Sequence, residues 1–252
     1  MDDGVRARRD RSVIAASVEQ LHAATSRRAF LRLMALGGTL VLLPSVVTAC
    51  ADEQLTDVGT AGSGDTIVID FAKGDVALLQ FAYVLEQLEA DFYSRVVAAF
   101  TGSNITAVEQ TLLTDVRNHE VIHRDLLQNL LGADGGFTVR PIYGSLAFGD
   151  RAAVLARAKS FEDLGVSAYN GMAPLFANAN NLSLVAKIVS VEGRHASTIS
   201  SLLAPRTVNF APNDTDPAIA PAGAATAAQS FIVQRLAFAN EPVTPSPAAY
   251  NG

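Results

Sequence analysis

The chain has 252 residues, of which 49% are hydrophobic and 17% are charged, and its formal net charge is −6. That length suits one domain or two, and the acidic balance argues against a nucleic-acid-binding protein, which usually carries a basic face. The single cysteine, Cys50, excludes an internal disulfide, a cysteine-rich zinc site and an iron–sulfur cluster held by this chain alone.

Residues 1–50 are predicted to be an export signal. The segment SRRAFLR at 26–32 resembles the twin-arginine export motif, and an uncharged run from Leu33 to Ala51 follows it. This run is slightly short of the roughly 20 residues of a comfortable membrane span. It contains VTAC at 47–50, which resembles a bacterial lipobox with Cys50 as the lipidated residue. We expect twin-arginine export to the periplasm or cell envelope with a lipid anchor at Cys50; an ordinary cleavage site and an uncleaved anchor are the alternatives.

Residues 51–70 are predicted to form a flexible tether, since 51–65 are mostly small and polar. A helical bundle is predicted over 71–203. Its first helix begins with Asp75 as N-cap and runs to about residue 100, and its second opens with the capping-box pair Thr106 and Glu109 and runs to about 131.

The third predicted helix is capped by Asp150 and runs to about residue 177, with a kink or early stop at Pro174. The fourth follows a turn at 178–181 and runs to about 203. The tail, 204–252, carries seven of the ten prolines. It is predicted to be mostly irregular, with a short helix from 226 to 239.

The loop lengths predict the topology. Short loops join the first helix to the second and the third to the fourth, so each pair is an antiparallel hairpin. The connection between the pairs has about 18 residues and can reach roughly 59 Å, whereas a 26-residue helix is roughly 39 Å long. It can therefore travel the whole bundle. The predicted fold class is all-α: a four-helix bundle with one long crossover, which is the ferritin-like arrangement.

Each predicted helix has a core stripe that is apolar at its ends and acidic or basic near its middle. Ionised carboxylates in an apolar interior lose hydration and repel one another unless something neutralises them. Two divalent cations would do so, and bundle-core di-metal sites use one Glu from each of two helices and Glu-x-x-His from each of the other two. This sequence has that set: Glu86, Glu120, His123, Glu162, Glu192 and His195.

In this interpretation Glu120 and Glu192 are bridging carboxylates, and each histidine is terminal on one metal. Glu86 and Glu162 are terminal or semi-bridging. A metal-free polar core that shares protons is the alternative. Glu89 lies on the same stripe and is a candidate seventh ligand or a base behind the ligands. Its alternative is a hydrogen-bonded or partly exposed glutamate one turn away.

Two tyrosines repeat the spacing of the carboxylates, since Tyr93 and Tyr169 each follow a candidate ligand by seven residues. They are candidate hydrogen-bond donors to those carboxylates or redox-active phenols, with ordinary core aromatics as the alternative. His119 is expected to point away from the site because it adjoins a ligand on a helix. Gly165 leaves the stripe without a side chain, which would admit a small oxidant or a close approach of two helices.

The segment DVALLQFAYVLEQLEADFY at 75–93 resembles the first helix of exported ferritin-like proteins, including the desiccation-related group. The resemblance covers about residues 70–203. It implies a ferritin-like bundle and, where the ligands are complete, a di-iron or di-manganese centre. Some desiccation-related relatives lack a full ligand set, and this sequence keeps one.

The functional hypothesis is an exported redox metalloprotein with two iron or two manganese ions. Its partner would be peroxide, dioxygen or ferrous iron, in chemistry of the peroxidase, catalase or ferroxidase type. One alternative is a non-enzymatic envelope stress or desiccation protein, and another is an iron-binding protein without turnover. No nucleic-acid partner is expected. Membrane contact through the N-terminal anchor is expected, and a homodimer is left open.

Overall fold

Helices form most of the described part of the chain, which is residues 65–242 of the computed structural model. The predicted export signal, Cys50 and most of the predicted tether lie outside these residues. The elements in chain order are β1 (Thr66–Asp70), α1 (Asp75–Ala98), α2 (Ala107–Leu131), α3 (Arg151–Met172), α4 (Ala179–Leu203), α5 (Pro221–Gln229) and β2 (Arg235–Ala239). No helix among the described residues is both long enough and apolar enough to cross a membrane.

The starts of α2 and α3 follow the predicted caps. Thr106 and Glu109 form a reciprocal capping box, and the Asp150 carboxylate accepts a hydrogen bond from the Ala153 backbone N–H at 2.8 Å. These contacts satisfy backbone donors that a helix start leaves without partners. The third helix is shorter than predicted, because α3 ends at Met172 and a 3₁₀ turn containing Pro174 follows.

Asp75 does not cap α1 as predicted. Gly74 occupies the cap with φ of 59°, a left-handed conformation that glycine adopts without steric cost. The Asp75 carboxylate instead accepts hydrogen bonds from the backbone N–H groups of Ala177 and Asn178 at 2.8 Å and 3.0 Å. It therefore ties the start of α1 to the turn between α3 and α4.

The helix ends show that the predicted crossover connects parallel helices. At one end of the bundle, Arg151 at the start of α3 bonds Glu109 at the start of α2 and donates to the Leu202 carbonyl at the end of α4. At the other end, Lys73 just before α1 pairs with Asp134 just after α2 at 3.1 Å. Since α2 and α3 start at the same end, the connection between them runs the length of the bundle. The prediction of a four-helix bundle with one long crossover is confirmed.

Two separate hydrophobic clusters fill the bundle, and a polar layer lies between them. Each helix passes from one cluster to the other at the position of its candidate ligands. The change falls between Leu85 and Leu88 on α1, Val116 and Leu127 on α2, Phe161 and Leu164 on α3, and Ile188 and Ile199 on α4. The middle of the bundle is therefore the place where the chain buries charge instead of apolar surface.

The last five residues of the predicted tether form a strand. β1 pairs in parallel with β2, in a register that runs from Thr66 opposite Arg235 to Asp70 opposite Ala239. Alternate side chains of β1 point inward, and Ile69 is fully buried while Val68 is 59% exposed. That alternation of β-branched residues is typical of a half-buried strand.

The described part of the tail is mostly irregular, as predicted, but its short helix covers Pro221–Gln229, begins earlier than the predicted 226–239, and is followed by β2. α5 ends at Gln229, whose side-chain amide donates to the carbonyls of Ile232 and Gln234 and accepts from the Leu236 backbone N–H. These contacts close a turn that sends the chain into β2. The ring of Phe238 in β2 then meets that of Phe81 edge-on, with centroids 5.2 Å apart.

Candidate metal centre

Two overlapping groups of acidic and imidazole side chains meet in the polar layer. Every residue of a group offers one ligand atom, and these atoms lie within 4.8 Å of one another. The first group is Glu86, Glu120, His123 and Glu192, and the second is Glu120, Glu162, Glu192 and His195. The structure therefore brings all six predicted ligands together, and it places Glu120 and Glu192 in both groups.

His123 faces the first group through Nδ1. This atom lies 2.8 Å from Glu192 Oε1, 3.4 Å from Glu120 Oε2 and 3.5 Å from Glu86 Oε2. The ring is 3% exposed and the three carboxylates are fully buried. One imidazole nitrogen and three carboxylate oxygens thus converge on a common volume.

His195 faces the second group in the same way. Its Nδ1 lies 2.7 Å from Glu120 Oε1, 3.3 Å from Glu192 Oε2 and 3.5 Å from Glu162 Oε2. Glu120 and Glu192 each turn one oxygen towards His195 and the other towards His123. The two halves are therefore related by a pseudo-two-fold that exchanges α1 with α3 and α2 with α4.

The two tyrosines follow the same pseudo-two-fold. Tyr93 on α1 donates a hydrogen bond to Glu162 Oε1 on α3, and Tyr169 on α3 donates to Glu86 Oε1 on α1 at 2.5 Å. Burial and the neighbouring carboxylates raise the pKa of both phenols well above its usual value. Both tyrosines therefore remain protonated donors, each holding one oxygen of its carboxylate.

The charges in the centre shift the proton affinities of its groups. Burial raises the pKa of Glu86 and that of Glu162 to about 8, against the opposing effect of the nearest histidine. Burial also acts to raise the pKa of Glu120, but the neighbouring imidazoles of His123 and His195 hold it below its usual value. Burial acts to lower the pKa of His123 and that of His195. The neighbouring carboxylates raise it more strongly, so both pKa values lie above the usual one.

The hydrogen bonding of the centre is incomplete. Buried ligand atoms without a hydrogen-bond partner are Glu86 Oε2, both oxygens of Glu120, His123 Nδ1, Glu162 Oε2 and Glu192 Oε1. Several of them lie within 3.5 Å of another ligand atom without forming a hydrogen bond to it. Buried polar atoms are rarely left in this state, and imidazole and carboxylate donors suit iron and manganese. The residues present therefore fit a pair of divalent cations.

Glu89 lies beside the centre but outside both groups. It is 2% exposed, and its Oε2 has no hydrogen-bond partner. Burial and the surrounding carboxylates raise its pKa well above the usual value. The pseudo-two-fold relates Glu89 to Gly165, where a Cβ atom would lie only 3.1 Å from Glu89 Oε1. The space beside Gly165, considered above for a small oxidant, is thus occupied by the Glu89 carboxylate.

His119 contacts the centre, so the expectation that it points away is wrong. Its Nδ1 lies 2.9 Å from His195 Nε2, and the two rings are nearly parallel with centroids 5.2 Å apart. Burial and the two neighbouring histidines lower the pKa of His119. A signal was available in the sequence, because His119 precedes His123 by four residues and residues so spaced lie on one side of a helix.

A comparison with known protein families is consistent with this geometry. The model of the ferritin-like domain family matches residues 74–205. That range spans α1 to α4 and contains every candidate ligand, whereas β1, α5 and β2 lie outside it. No curated protein matches the chain.

Proposed function

The chain belongs to the ferritin-like domain family, and we propose that it is a redox metalloprotein that holds two iron or two manganese ions between its four long helices. The observation that carries the proposal is the set of buried ligand atoms without hydrogen-bond partners, arranged as two groups that share Glu120 and Glu192. Without cations, the four fully buried carboxylates could not all be ionised without a large cost in free energy.

The six ligands divide into two that are shared between the metal positions and four that each serve one position. Glu120 and Glu192 bridge the two positions, since each has one oxygen near each histidine. His123 and Glu86 complete one position, and His195 and Glu162 complete the other. When bound, a pair of such ions supplies two-electron redox chemistry towards peroxide or dioxygen.

The surrounding residues orient the ligands and exclude water. Tyr93 and Tyr169 hold the outer oxygens of Glu162 and Glu86, so that the free oxygens of these carboxylates face the metal positions. The two hydrophobic clusters close the layer from both ends of the bundle. Burial raises the pKa of Glu89 well above its usual value, which suits a proton donor beside the centre; Glu89 is also the candidate seventh ligand.

The proposed substrates are hydrogen peroxide, dioxygen and ferrous iron. Protein loaded with iron or with manganese is given peroxide alone, or ferrous iron with dioxygen, and the rates of peroxide loss and ferrous oxidation are measured. Multiple turnovers of either reaction support the redox proposal. Uptake of two ions with no reaction above that of free metal would contradict it and favour a store or a structural protein.

A pair of variants ties any such activity to the centre. Glu120→Gln should abolish it, because the variant removes a bridging carboxylate. Glu109→Gln is the matched control, since Glu109 is a buried glutamate on the same helix that serves the capping box instead of the centre. Equal loss of activity in both variants would contradict the assignment.

We also propose that the chain is exported by the twin-arginine route and anchored by a lipid at Cys50. The support is the motif at 26–32 and the position of Cys50 after an apolar run. Twin-arginine export carries folded cargo, which suits a protein loaded with metal before export. Mass spectrometry of the mature N-terminus tests this: a diacylated Cys50 supports it, and an unmodified cleaved or uncleaved N-terminus contradicts the anchor.

A further inference from the structure

The two proposed metal positions differ in what stands behind their histidines. His195 turns Nδ1 towards the carboxylates, 2.7 Å from Glu120 Oε1, and turns Nε2 towards His119 at 2.9 Å. An imidazole that binds a cation through one nitrogen carries its proton on the other. With a cation at Nδ1, His195 Nε2–H would donate to His119 Nδ1, which lies at hydrogen-bond distance.

His123 has no equivalent support. The pseudo-two-fold that relates Glu120 to Glu192 relates His119 to Val191, whose side chain cannot accept a hydrogen bond. Within residues 65–242, no side chain or carbonyl bonds the outer nitrogen of His123; its recorded polar contacts are made by Nδ1 with the carboxylates. The ligands thus follow the pseudo-two-fold, but the residues behind the two histidines do not.

We propose that His119 is a positioning residue that makes the two metal positions unequal, so that the position at His195 binds its ion more tightly than the position at His123. This inference rests on the proposed function. A hydrogen bond to the outer nitrogen fixes the ring orientation and the tautomer of a ligating histidine and raises its basicity, and removing such a partner typically costs about 10–100-fold in metal affinity.

Two variants, each lacking a ligand of one proposed metal position, allow the metal affinity of the other position to be measured by itself. Glu162→Gln removes a terminal ligand at His195 and leaves the position at His123, whereas Glu86→Gln does the reverse. Mn²⁺ is titrated into the metal-free full chain of each, with the free ion measured by electron paramagnetic resonance. We expect the Glu86→Gln protein to bind its remaining ion at least about tenfold more tightly than the Glu162→Gln protein.

His119→Phe, which keeps a ring to stack on His195 but removes the acceptor, is then added to each background. We expect about 10–100-fold weaker binding in the Glu86→Gln background and less than a twofold change in the Glu162→Gln background. His119→Asn should recover most of the loss, because its amide oxygen can occupy the place of Nδ1. Val191→Ala is the matched control and should leave both constants within twofold.

Four results overturn the inference alone. Equal Mn²⁺ affinity in the two backgrounds would do so, and so would a His119→Phe effect of the same size in both. If His119→Asn recovers no binding, the hydrogen bond to His195 is not the cause of the tighter binding. If the wild-type protein takes up neither Mn²⁺ nor anaerobic Fe²⁺, the proposed function fails, and this inference fails with it. If the wild-type protein binds two ions with equal dissociation constants, only the inference is refuted.

Discussion

Glu86 and Glu162 each have one carboxylate oxygen anchored and one oxygen free. Tyr169 holds Glu86 Oε1, and Tyr93 holds Glu162 Oε1, while Oε2 of both carboxylates has no hydrogen-bond partner. Because each phenol comes from the opposite helix pair, the two pairs must be docked before either carboxylate is oriented. Folding and ligand orientation are therefore coupled at the level of single residues.

Removing one phenol should weaken one metal position. In Tyr169→Phe, Glu86 loses its anchor, and we expect about 10–100-fold weaker binding at the position of His123, measured by Mn²⁺ titration. Tyr83→Phe is the control, since Tyr83 is a buried tyrosine of α1 outside the centre. An unchanged Mn²⁺ affinity in Tyr169→Phe would show that the tyrosine is an ordinary core aromatic.

The contact between Gly165 and Glu89 predicts a non-additive pair of substitutions. Gly165→Ala should gain helix propensity of about 1 kcal/mol, but its Cβ would press on Glu89 Oε1 at 3.1 Å. In a Glu89→Ala background that obstacle is gone, so the same substitution should raise the free energy of unfolding of the metal-free protein. Denaturant unfolding of the two single variants and the double variant measures the difference.

The control for this pair is Gly193→Ala, because a Cβ at Gly193 on α4 would meet nothing within 4 Å. It should stabilise the protein to a similar extent with Glu89 present or absent. If Gly165→Ala also stabilises equally in both backgrounds, the Glu89 carboxylate does not depend on the space at Gly165.

At the scale of elements, the helices could be predicted because their signals are local. Glu120 and His123, and Glu192 and His195, lie three residues apart on amphipathic helices, so periodicity alone placed them on one face. The strands could not be predicted in the same way. β1 and β2 have five residues each, and their pairing joins Thr66 to Arg235 across most of the described chain. The spacing of His119 and His123 indicates the side of α2 on which His119 lies, but its contact with His195 joins two helices and cannot be predicted from spacing along one helix.

The strand pair extends the core beyond the part matched by the family model. Phe238 in β2 packs edge-on against Phe71 and against Phe81, whose ring is fully buried at the start of the bundle. A Cβ at Gly171 on α3 would collide with the carbonyl of Ile219, so the segment that leads to α5 lies directly on the helix. The C-terminal region is thus part of the packed domain.

Phe238→Ala should lower the free energy of unfolding by about 2 kcal/mol, since it removes a half-buried ring from an aromatic cluster. Val68→Ala, on the facing strand but 59% exposed, should change it by less than about 0.5 kcal/mol. Both are measured by denaturant unfolding. Equal effects would mean that the sheet does not contribute to the core.

At the scale of the whole molecule, the buried centre links stability to pH. In the folded metal-free protein, the pKa of Glu86 and that of Glu162 are about 8, against an ordinary value of 4.5. The folded state therefore binds more protons than the unfolded state between these values, and the free energy of unfolding falls as the pH rises through that range. The raised pKa values of His123 and His195 act in the same direction above their ordinary value of 6.5.

The melting temperature of the metal-free protein should therefore fall from pH 5 to pH 8. Metal binding must displace the same protons, so the stabilisation by added Mn²⁺ should grow over that interval. Thermal unfolding at a series of pH values, with and without Mn²⁺, measures both trends. Replacing Glu86 and Glu162 together by Gln should weaken the metal-free trend, and a melting temperature that rises towards pH 8 would contradict the assignment of these pKa values.

The most direct test of the di-metal centre is the metal content of the protein itself. The full chain is produced through its own export route in medium supplemented with iron and manganese, purified without chelators, and analysed by elemental mass spectrometry beside Glu120→Gln. We expect about two equivalents of iron or manganese per chain and the loss of at least one in the variant. No bound iron or manganese in the wild-type protein would contradict the centre and would leave the polar layer as a proton-sharing core.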